Sequence, residues 1–524
     1  MTTRLLSTIN AVAANGGKHA SQRISFFQQG GRIDLSHAQL DALAARLALR
    51  LSAAGLRRGA RIGIVARNGL AWVLLDLAAL KGGYVTAGFE FGKFVASREL
   101  VQRYALDAIL ADGVEPFDAR LVLDLRELVD QAVASAGDGS AVDPVAPAFD
   151  TAAYADDDIT TIKFTSGSSG EPKGLAARVG SIDGSIAAVQ QLYAHGPDDN
   201  LLVFLPLSLL QQRYWIYSAL VHGHATTVTR FEYALEVTRQ APPTVVMGVP
   251  GFFDGVKKRI ERIAQAGEPG GQAALAERRR HIDALLGGRI RYLWTGSAPA
   301  NPQTLRFFEE AGVPIFEGYG MNETCIVTKN YPGQARTGSV GRLLPGKRAR
   351  IDAQGVLVVG AEQPVNTRYL YSEPGASEKI FLSTGEVRTG DLARIDADGF
   401  LYILGRADDL IVLANGKNVH TRRIEERVKA HTGVEECVLF GAGKPFLVAV
   451  VSPQDSQTDH AAIRAHLSEL NASLAPDERI VRAFIAPQPF RSETRFVTSQ
   501  FKPRRNEIFH AFRQEIDQLY GASA

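Results

Sequence analysis

The stretch Thr165–Gly174 reads TSGSSGEPKG, two hydroxyl-rich glycine turns closed by a lysine, and it comes after the apolar-leaning run Ile159–Phe164. Small residues, Gly167 and Gly170 among them, let backbone N–H groups converge on an anion. The hydroxyls of Thr165, Ser166, Ser168 and Ser169 add donors, and Lys173 adds a mobile positive charge. This is the composition of a loop that grips phosphate. No Gly-Lys-Ser/Thr stands after a four-residue gap, so the Walker template of ordinary P-loop nucleotidases does not fit. Alone, such a stretch reads more often as a solvated loop. Its meaning is decided by the motifs downstream of it in the chain.

Three further strings lie there: EGYGMNET at Glu317–Thr324, TGDLARIDADGFLYILGRADDLIVLANGKNV at Thr389–Val419, and FKPRRNEI at Phe501–Ile508. With the first loop, and in this order, they resemble the adenylate-forming superfamily of acyl- and aryl-CoA synthetases, luciferases and peptide-synthetase adenylation domains. The resemblance implies an α/β fold with a large N-terminal domain of several subdomains, mixed sheets and helices, over residues 1–405. It also implies a small α+β C-terminal domain over residues 406–524 that rotates about a hinge at Asp408. Sequence statistics alone do not place that boundary. The implied chemistry is attack of a carboxylate on the α-phosphate of ATP, giving an acyl-adenylate and pyrophosphate, and then capture of the acyl group by a thiol. Carboxylate and triphosphate repel, so in-line attack needs Mg²⁺, a lysine and backbone donors to neutralise and position them.

The resemblance also assigns residues. Lys173, Thr165 and the turn Ser166, Gly167, Ser168, Ser169 and Gly170 hold the phosphates. In EGYGMNET, Gly318, Tyr319 and Gly320 lie at the adenine and Glu323 binds magnesium, a hard cation suited to carboxylate oxygen. Asn322 stands where most members have a threonine that donates to the α-phosphate, and an amide can still donate. The turn Gly296, Ser297 and Ala298 passes under the adenine and borders the acyl pocket. Asp391 takes both ribose hydroxyls, and Arg406 reaches ribose and phosphate from the domain junction. Near the C-terminus, FVTSQFKPRRNEI resembles the long-chain acyl-CoA synthetase version of this region, which makes Lys502 the catalytic lysine bridging carboxylate and α-phosphate.

The acyl pocket is less typical. Leu205-Pro-Leu-Ser208 resembles a segment in which a histidine often comes next, but Leu209 stands there. VVMGVPGFF at Val245–Phe253 resembles a pocket wall of the long-chain synthetases. Leu209, Val249 and Gly320 are therefore expected at a hydrophobic acid, fatty or aryl. The loop Asn415–Asn418 is expected to meet the pantetheine arm of CoA or of a carrier protein, and an acidic carrier would favour a basic patch at Arg422, Arg423, Arg427 and Lys429. Other outcomes are a specialised biosynthetic ligase that spends the adenylate on another bond, or a degenerate adenylate-binding protein.

Composition agrees with these expectations. The 524 residues are 45% hydrophobic with a formal net charge of +2, enough to bury a large core and too balanced to call for a nucleic acid partner. Cys325 and Cys437 lack metal-ligand spacing and read as reduced thiols of a cytoplasmic protein. The apolar stretch Leu70–Leu80 is interrupted by Asp76 and falls short of the roughly 20 residues of a membrane span. Apolar spacing predicts an amphipathic helix at the N-terminus, a helix over Ser36–Ala54 with a hydroxyl cap, a strand over Arg61–Ala66 and a helix over Gly69–Leu80. Later strands are predicted at Leu201–Leu205, Thr244–Val249, Ile290–Trp294 and Val313–Phe316, with loops at Ala132–Ala146 and Gly267–Gln272.

Overall fold

The structure is a computed structural model that describes residues 7–15, 19, 21–28, 31–112, 122–124, 145, 148–165, 173–264, 272–363, 366–407, 410–497 and 503–521. The N-terminal helix of the prediction covers Thr8–Asn15. Ser36 caps the helix His37–Ala53 through a reciprocal capping box with Gln39, so the hydroxyl expected to cap it does so. The strand Arg61–Ala66 has the predicted ends, and the next helix runs Leu70–Gly82, closed by Gly83 at φ +73°. Both predicted loops lie almost wholly outside the described residues.

Two large sheets carry the N-terminal part. Among the described residues a nine-stranded sheet runs in the order Arg342–Leu343, Cys325–Lys329, Ile315–Met321, Tyr292–Thr295, Val245–Gly248, Asn200–Val203, Ala225–Val228, Arg23–Gln28, Gly31–Ser36. Its centre is parallel, and its strands are near-continuous apolar runs because helices cover both faces. The four later strand predictions all fall here, three with shifted ends. The fourth, Val313–Phe316, is the start of a longer strand, Ile315–Met321, which carries EGYGM itself in extended form.

The second sheet contains six strands among the described residues, ordered Val122–Asp124, Ala108–Ala111, Arg61–Ala66, Val85–Glu90, Ile159–Thr165, Lys173–Arg178. Between the two sheets lies the largest core cluster, with Trp72, Leu74, Tyr214, Trp215 and Trp294 all buried. Crossing it is an ion pair. Asp76, which reads in sequence as an interruption, accepts from Arg213 Nη1 at 3.0 Å and from the Tyr217 hydroxyl at 2.5 Å. Arg213 Nη2 also donates to Thr161 Oγ1 at 2.9 Å, tying two helices to the sheet.

A four-stranded antiparallel sheet, Lys347–Ile351, Val356–Ala361, Val387–Ile395 and Leu401–Arg406, comes next among the described residues. The C-terminal part is α+β: strands Val434–Phe440, Leu447–Pro453 and Ile480–Ile485 are backed by helices Thr421–Lys429 and His460–Ala472, with their own apolar core. The α/β architecture with a smaller α+β unit is thus the one expected. Cys325 and Cys437 are free thiols. Among the described residues no helix is long and apolar enough to cross a membrane.

Candidate active site

Lys173 opens the strand Lys173–Arg178 and pairs directly opposite Thr165. The loop residues Ser166, Gly167, Ser168, Ser169 and Gly170 lie outside the described residues, as do Asp408 and Lys502. One position further, Gly174 exchanges two backbone hydrogen bonds with Leu370, at 2.9 and 2.7 Å. A Cβ on Gly174 would stand 2.9 Å from the ring of Tyr371, so glycine is what lets this second segment lie against the strand.

That pairing brings Tyr369 to the lysine. The ammonium of Lys173 sits 4.9 Å from the Tyr369 ring centroid, a cation–π contact. The Tyr369 hydroxyl donates to Glu323 Oε1 at 2.6 Å, a charge-assisted bond. Asn366, on the same segment, donates through Nδ2 to the backbone carbonyls of Asn322 and Glu323 at 3.1 and 3.2 Å. One stretch of chain therefore fastens Lys173 to the turn that bears Glu323. The Tyr369 phenol is raised above its usual range by burial first and the neighbouring carboxylate second, so it stays a donor.

Glu323 stands in the turn between the strands Ile315–Met321 and Cys325–Lys329, and is 6% exposed. The hairpin is bulged between Tyr319 and Gly320, and a Cβ on Gly320 would fall 2.1 Å from the carbonyl oxygen of Cys325. Glycine at 320 is thus dictated by hairpin closure. The residues present suit magnesium. No group of three or more His, Cys, Asp or Glu gathers among the described residues, and Mg²⁺ is ordinarily held by one or two carboxylates together with substrate phosphates. Glu323, oriented by Tyr369 beside a lysine, provides that kind of site.

A second cluster joins the residues expected at the nucleoside. Asp391 and Arg406 are directly paired on adjacent strands, with Arg406 Nη1 3.2 Å from Asp391 Oδ1 and 3.0 Å from the Thr389 carbonyl oxygen. Gly390 adopts φ +75°, and a Cβ there would meet the guanidinium at 3.0 Å. The Tyr319 hydroxyl donates to the other Asp391 oxygen, Oδ2. The residues assigned to base and ribose are in this way joined by one hydrogen bond. Burial, and then the Asp391 charge, raise the Tyr319 phenol above its usual range and keep it protonated.

The turn Gly296-Ser297-Ala298 continues from the strand Tyr292–Thr295, next to EGYGM in the sheet. A Cβ on Gly296 would lie 3.3 Å from the Gly318 carbonyl oxygen, and Ser297 sits at φ +70°. Glu317 accepts from the Ala300 amide at 3.2 Å, and burial pushes its carboxyl up to about 7. Leu209 is half-buried at the start of the helix Leu210–His222, and Val249 packs in a second apolar cluster with Phe204, Phe252 and Phe253. Sequence reading missed Asn366 and Tyr369. They belong to a segment without a motif, and only the pairing of Gly174 with Leu370 reveals them.

Residues 11–363 match the family described as AMP-binding enzyme, and residues 408–524 match the AMP-binding enzyme C-terminal domain. The chain belongs to the AMP-binding enzyme family. It falls on the acyl-CoA and fatty-acid ligase side of that family, whose shared chemistry is activation of a carboxylic acid as an adenylate with ATP and Mg²⁺. It is 30% identical to the long-chain-fatty-acid–CoA ligase FadD15 of Mycobacterium bovis over 547 aligned positions, covering 90% of each chain. It is also 30% identical to a sulfoacetate–CoA ligase of Cupriavidus necator, over 60% of this chain and 62% of that one. In fold it is similar to ATP-bound MatB from Rhodopseudomonas palustris, with TM-score 0.77, 22% identity and coverage of 97% and 99%. Another similar structure is o-succinylbenzoate CoA synthetase from Bacillus subtilis with its acyl-adenylate, with TM-score 0.74, 20% identity and coverage of 96% and 97%.

Proposed function

We propose that this AMP-binding enzyme is a cytoplasmic acid–thiol ligase that converts a carboxylic acid with an apolar body, fatty or aryl, into its adenylate and passes the acyl group to CoA. The observation that carries the reading is the physical linkage of Lys173, Tyr369 and Glu323 on the phosphate side, with Tyr319, Asp391 and Arg406 joined on the nucleoside side.

In this reading Asp391 accepts from both ribose hydroxyls while Arg406 and Tyr319 hold its carboxylate in place. Asn322 and the turn Ser166–Gly170 donate to the phosphates, and Lys173 moves from the Tyr369 ring to the departing pyrophosphate. Magnesium, when bound at Glu323, offsets phosphate charge during displacement. The acid's carboxylate oxygen bonds to the α-phosphorus as the bond to the bridging oxygen breaks, and pyrophosphate leaves with the electron pair. Lys502 donates to carboxylate and α-phosphate as that charge shifts. The small domain, residues 406–524, then turns about Asp408. A CoA thiolate attacks the acyl carbonyl, and AMP departs.

Relatives bearing names as different as a long-chain-fatty-acid ligase and a sulfoacetate ligase leave the acid itself to experiment. A carrier-protein acceptor is the alternative, and the candidate basic patch is neutralised only in part, since Arg423 at its start is exposed. Lys429 is paired with Glu426 at 3.4 Å and Glu436 at 3.0 Å, and the Arg427 guanidinium donates to Ser473. ATP–pyrophosphate exchange across a panel of acids, and then acceptor assays with CoA and with a phosphopantetheinyl carrier, test the reading. Exchange with no acid would overturn it in favour of a non-catalytic adenylate-binding protein. Lys502→Ala is expected to cut exchange by about 10²–10³-fold while sparing thiolation of a preformed adenylate, and equal loss of both would remove the assigned role.

A further inference from the structure

The helix Pro250–Ala264 begins directly after Val249, and its Phe252 and Phe253 pack in the apolar cluster that Val249 joins. Its exposed face reaches the C-terminal part of the chain. Lys258 Nζ donates to Gln454 Oε1 at 3.1 Å, a bond between residues 196 positions apart. Gln454 stands just past the strand Leu447–Pro453, where its amide donates to the Gly433 carbonyl oxygen at 2.7 Å and its carbonyl accepts from Arg491. The backbone that carries the acceptor is thus fixed from within the C-terminal part. The helix is braced as well, since one turn before Lys258 the Asp254 carboxylate accepts from Thr304 Oγ1 at 2.5 Å. Burial raises the Asp254 carboxyl above its ordinary value; the Thr304 bond, Lys258 and Lys429 act against that rise, and Glu426 adds to it. Positions 254 and 258 share one helix face, and the charges of Glu426 and Lys429, on the helix Thr421–Lys429, meet it across the junction.

A second contact lies at another edge of the same junction. Lys93 pairs with Glu90 at 3.2 Å; burial lowers its ammonium below the ordinary value, Glu90 opposes that, and Arg504 adds to it. Arg504 therefore lies near the end of the strand Val85–Glu90. In the sheet that strand neighbours Ile159–Thr165, with Thr86 opposite Thr161 and Ala87 opposite Ile162. Continued in register, Glu90 falls level with Thr165, where the expected phosphate loop begins. Arg504 comes two positions after Lys502 in the chain. The stretch that starts at Pro503 thus meets the sheet edge from which that loop leaves, as adenylation by Lys502 requires.

We propose that Lys258 is a positioning residue of the first half-reaction: with Gln454 it forms a clasp that holds the C-terminal domain in the orientation for adenylation and opens before thiol transfer. This rests on the two-step reading above and deepens it. The bond is exposed and weak, which suits a contact that breaks and reforms in every turnover. The helix rooted beside Val249 also carries Lys258, so the wall expected at the acid and the clasp belong to one element.

The test uses the full-length enzyme and the acid that best supports wild-type ATP–pyrophosphate exchange, and compares exchange with thiolation of that acid's preformed adenylate by CoA. Lys258 is exposed and Gln454 half-buried, so substitutions at either leave the core intact. Lys258→Met removes the donor, and Gln454→Lys sets like charges against each other. Each is expected to lower exchange by about 2–5-fold, the size of one exposed polar contact, with thiolation as fast as in the wild type or faster. Reversing the pair, Lys258→Glu with Gln454→Lys, should restore exchange. Equal loss of both steps in the single variants, or no recovery in the reversed pair, overturns the clasp. Loss of thiolation with exchange intact overturns it too, since the contact would then belong to the other orientation, as does no change in either step. All of these leave acid activation standing, because wild-type exchange is read in the same assay. Absence of wild-type exchange with every acid overturns the activation reading and the clasp with it.

Discussion

Replacing Tyr369 with phenylalanine isolates the link between Lys173 and Glu323, the two halves of the proposed phosphate site. The substitution removes the hydroxyl that donates to Glu323 Oε1 at 2.6 Å and keeps the ring that Lys173 faces at 4.9 Å. A hydrogen bond to a charged group contributes about 1.5–3 kcal/mol. Removing a residue that orients a metal ligand typically weakens metal binding by about 10–100-fold, or ~1.4–2.8 kcal/mol, the same range reached independently. The half-saturating Mg²⁺ concentration in pyrophosphate exchange should therefore rise by about 10–100-fold, with most of the maximal rate recovered at high Mg²⁺. Tyr369→Ala also removes the ring, and should add a loss of ATP affinity worth about 0.5–1 kcal/mol. If Tyr369→Phe leaves the Mg²⁺ dependence where it was, Glu323 is not a metal ligand that Tyr369 orients. If the two variants are indistinguishable, the ring has no part in holding Lys173.

Two further predictions concern stability. Asp76→Ala leaves the buried Arg213 guanidinium without its carboxylate and should cost about 3–5 kcal/mol, measured by denaturant unfolding; Asp76→Leu combined with Arg213→Met should restore much of it, and no recovery would refute the account. Asp183 accepts from the Ile9 amide at 2.9 Å and from the Ser7 hydroxyl, and burial pushes its carboxyl up to about 6. Since the fold favours its protonated form, its contribution is full below the unfolded value near 4 and is lost as pH rises through about 6. Asp183→Asn should match wild type at pH 4 and gain up to about 3 kcal/mol by pH 8, so parallel stability curves across that range would sink the assignment.

The features legible in the sequence are those whose chemistry restricts residue type locally. A loop that holds phosphate needs small residues and hydroxyls within a few positions, so TSGSSGEPKG stands out, and Ser36 announces its helix because a cap acts on the adjacent turn. Asp391 and Arg406, which the resemblance assigns, meet because they lie on neighbouring strands joined by a short connection. Strand ends are less legible, since Val313–Phe316 gives no sign that pairing with Cys325–Lys329 carries extension through EGYGM. Tyr369 and Asn366 are silent because their roles arise from one long-range backbone pairing, between Gly174 and Leu370. Asp76 is misleading in isolation. As a break in an apolar run it suggests a surface, and only the helix bearing Arg213 makes it a buried partner.

The crossing of Lys329 over Gly318 makes the two positions one unit of change. A Cβ placed at 318 would stand 2.7 Å from Lys329 Cδ, so changing this hairpin one residue at a time has to begin at 329. Shortening the lysine removes only the nearer obstacle, because the Thr328 carbonyl oxygen stands 3.0 Å from a Cβ at 318 and the backbone still has to give way. Any variant that bears a side chain at 318 should accordingly need a change at 329 as well.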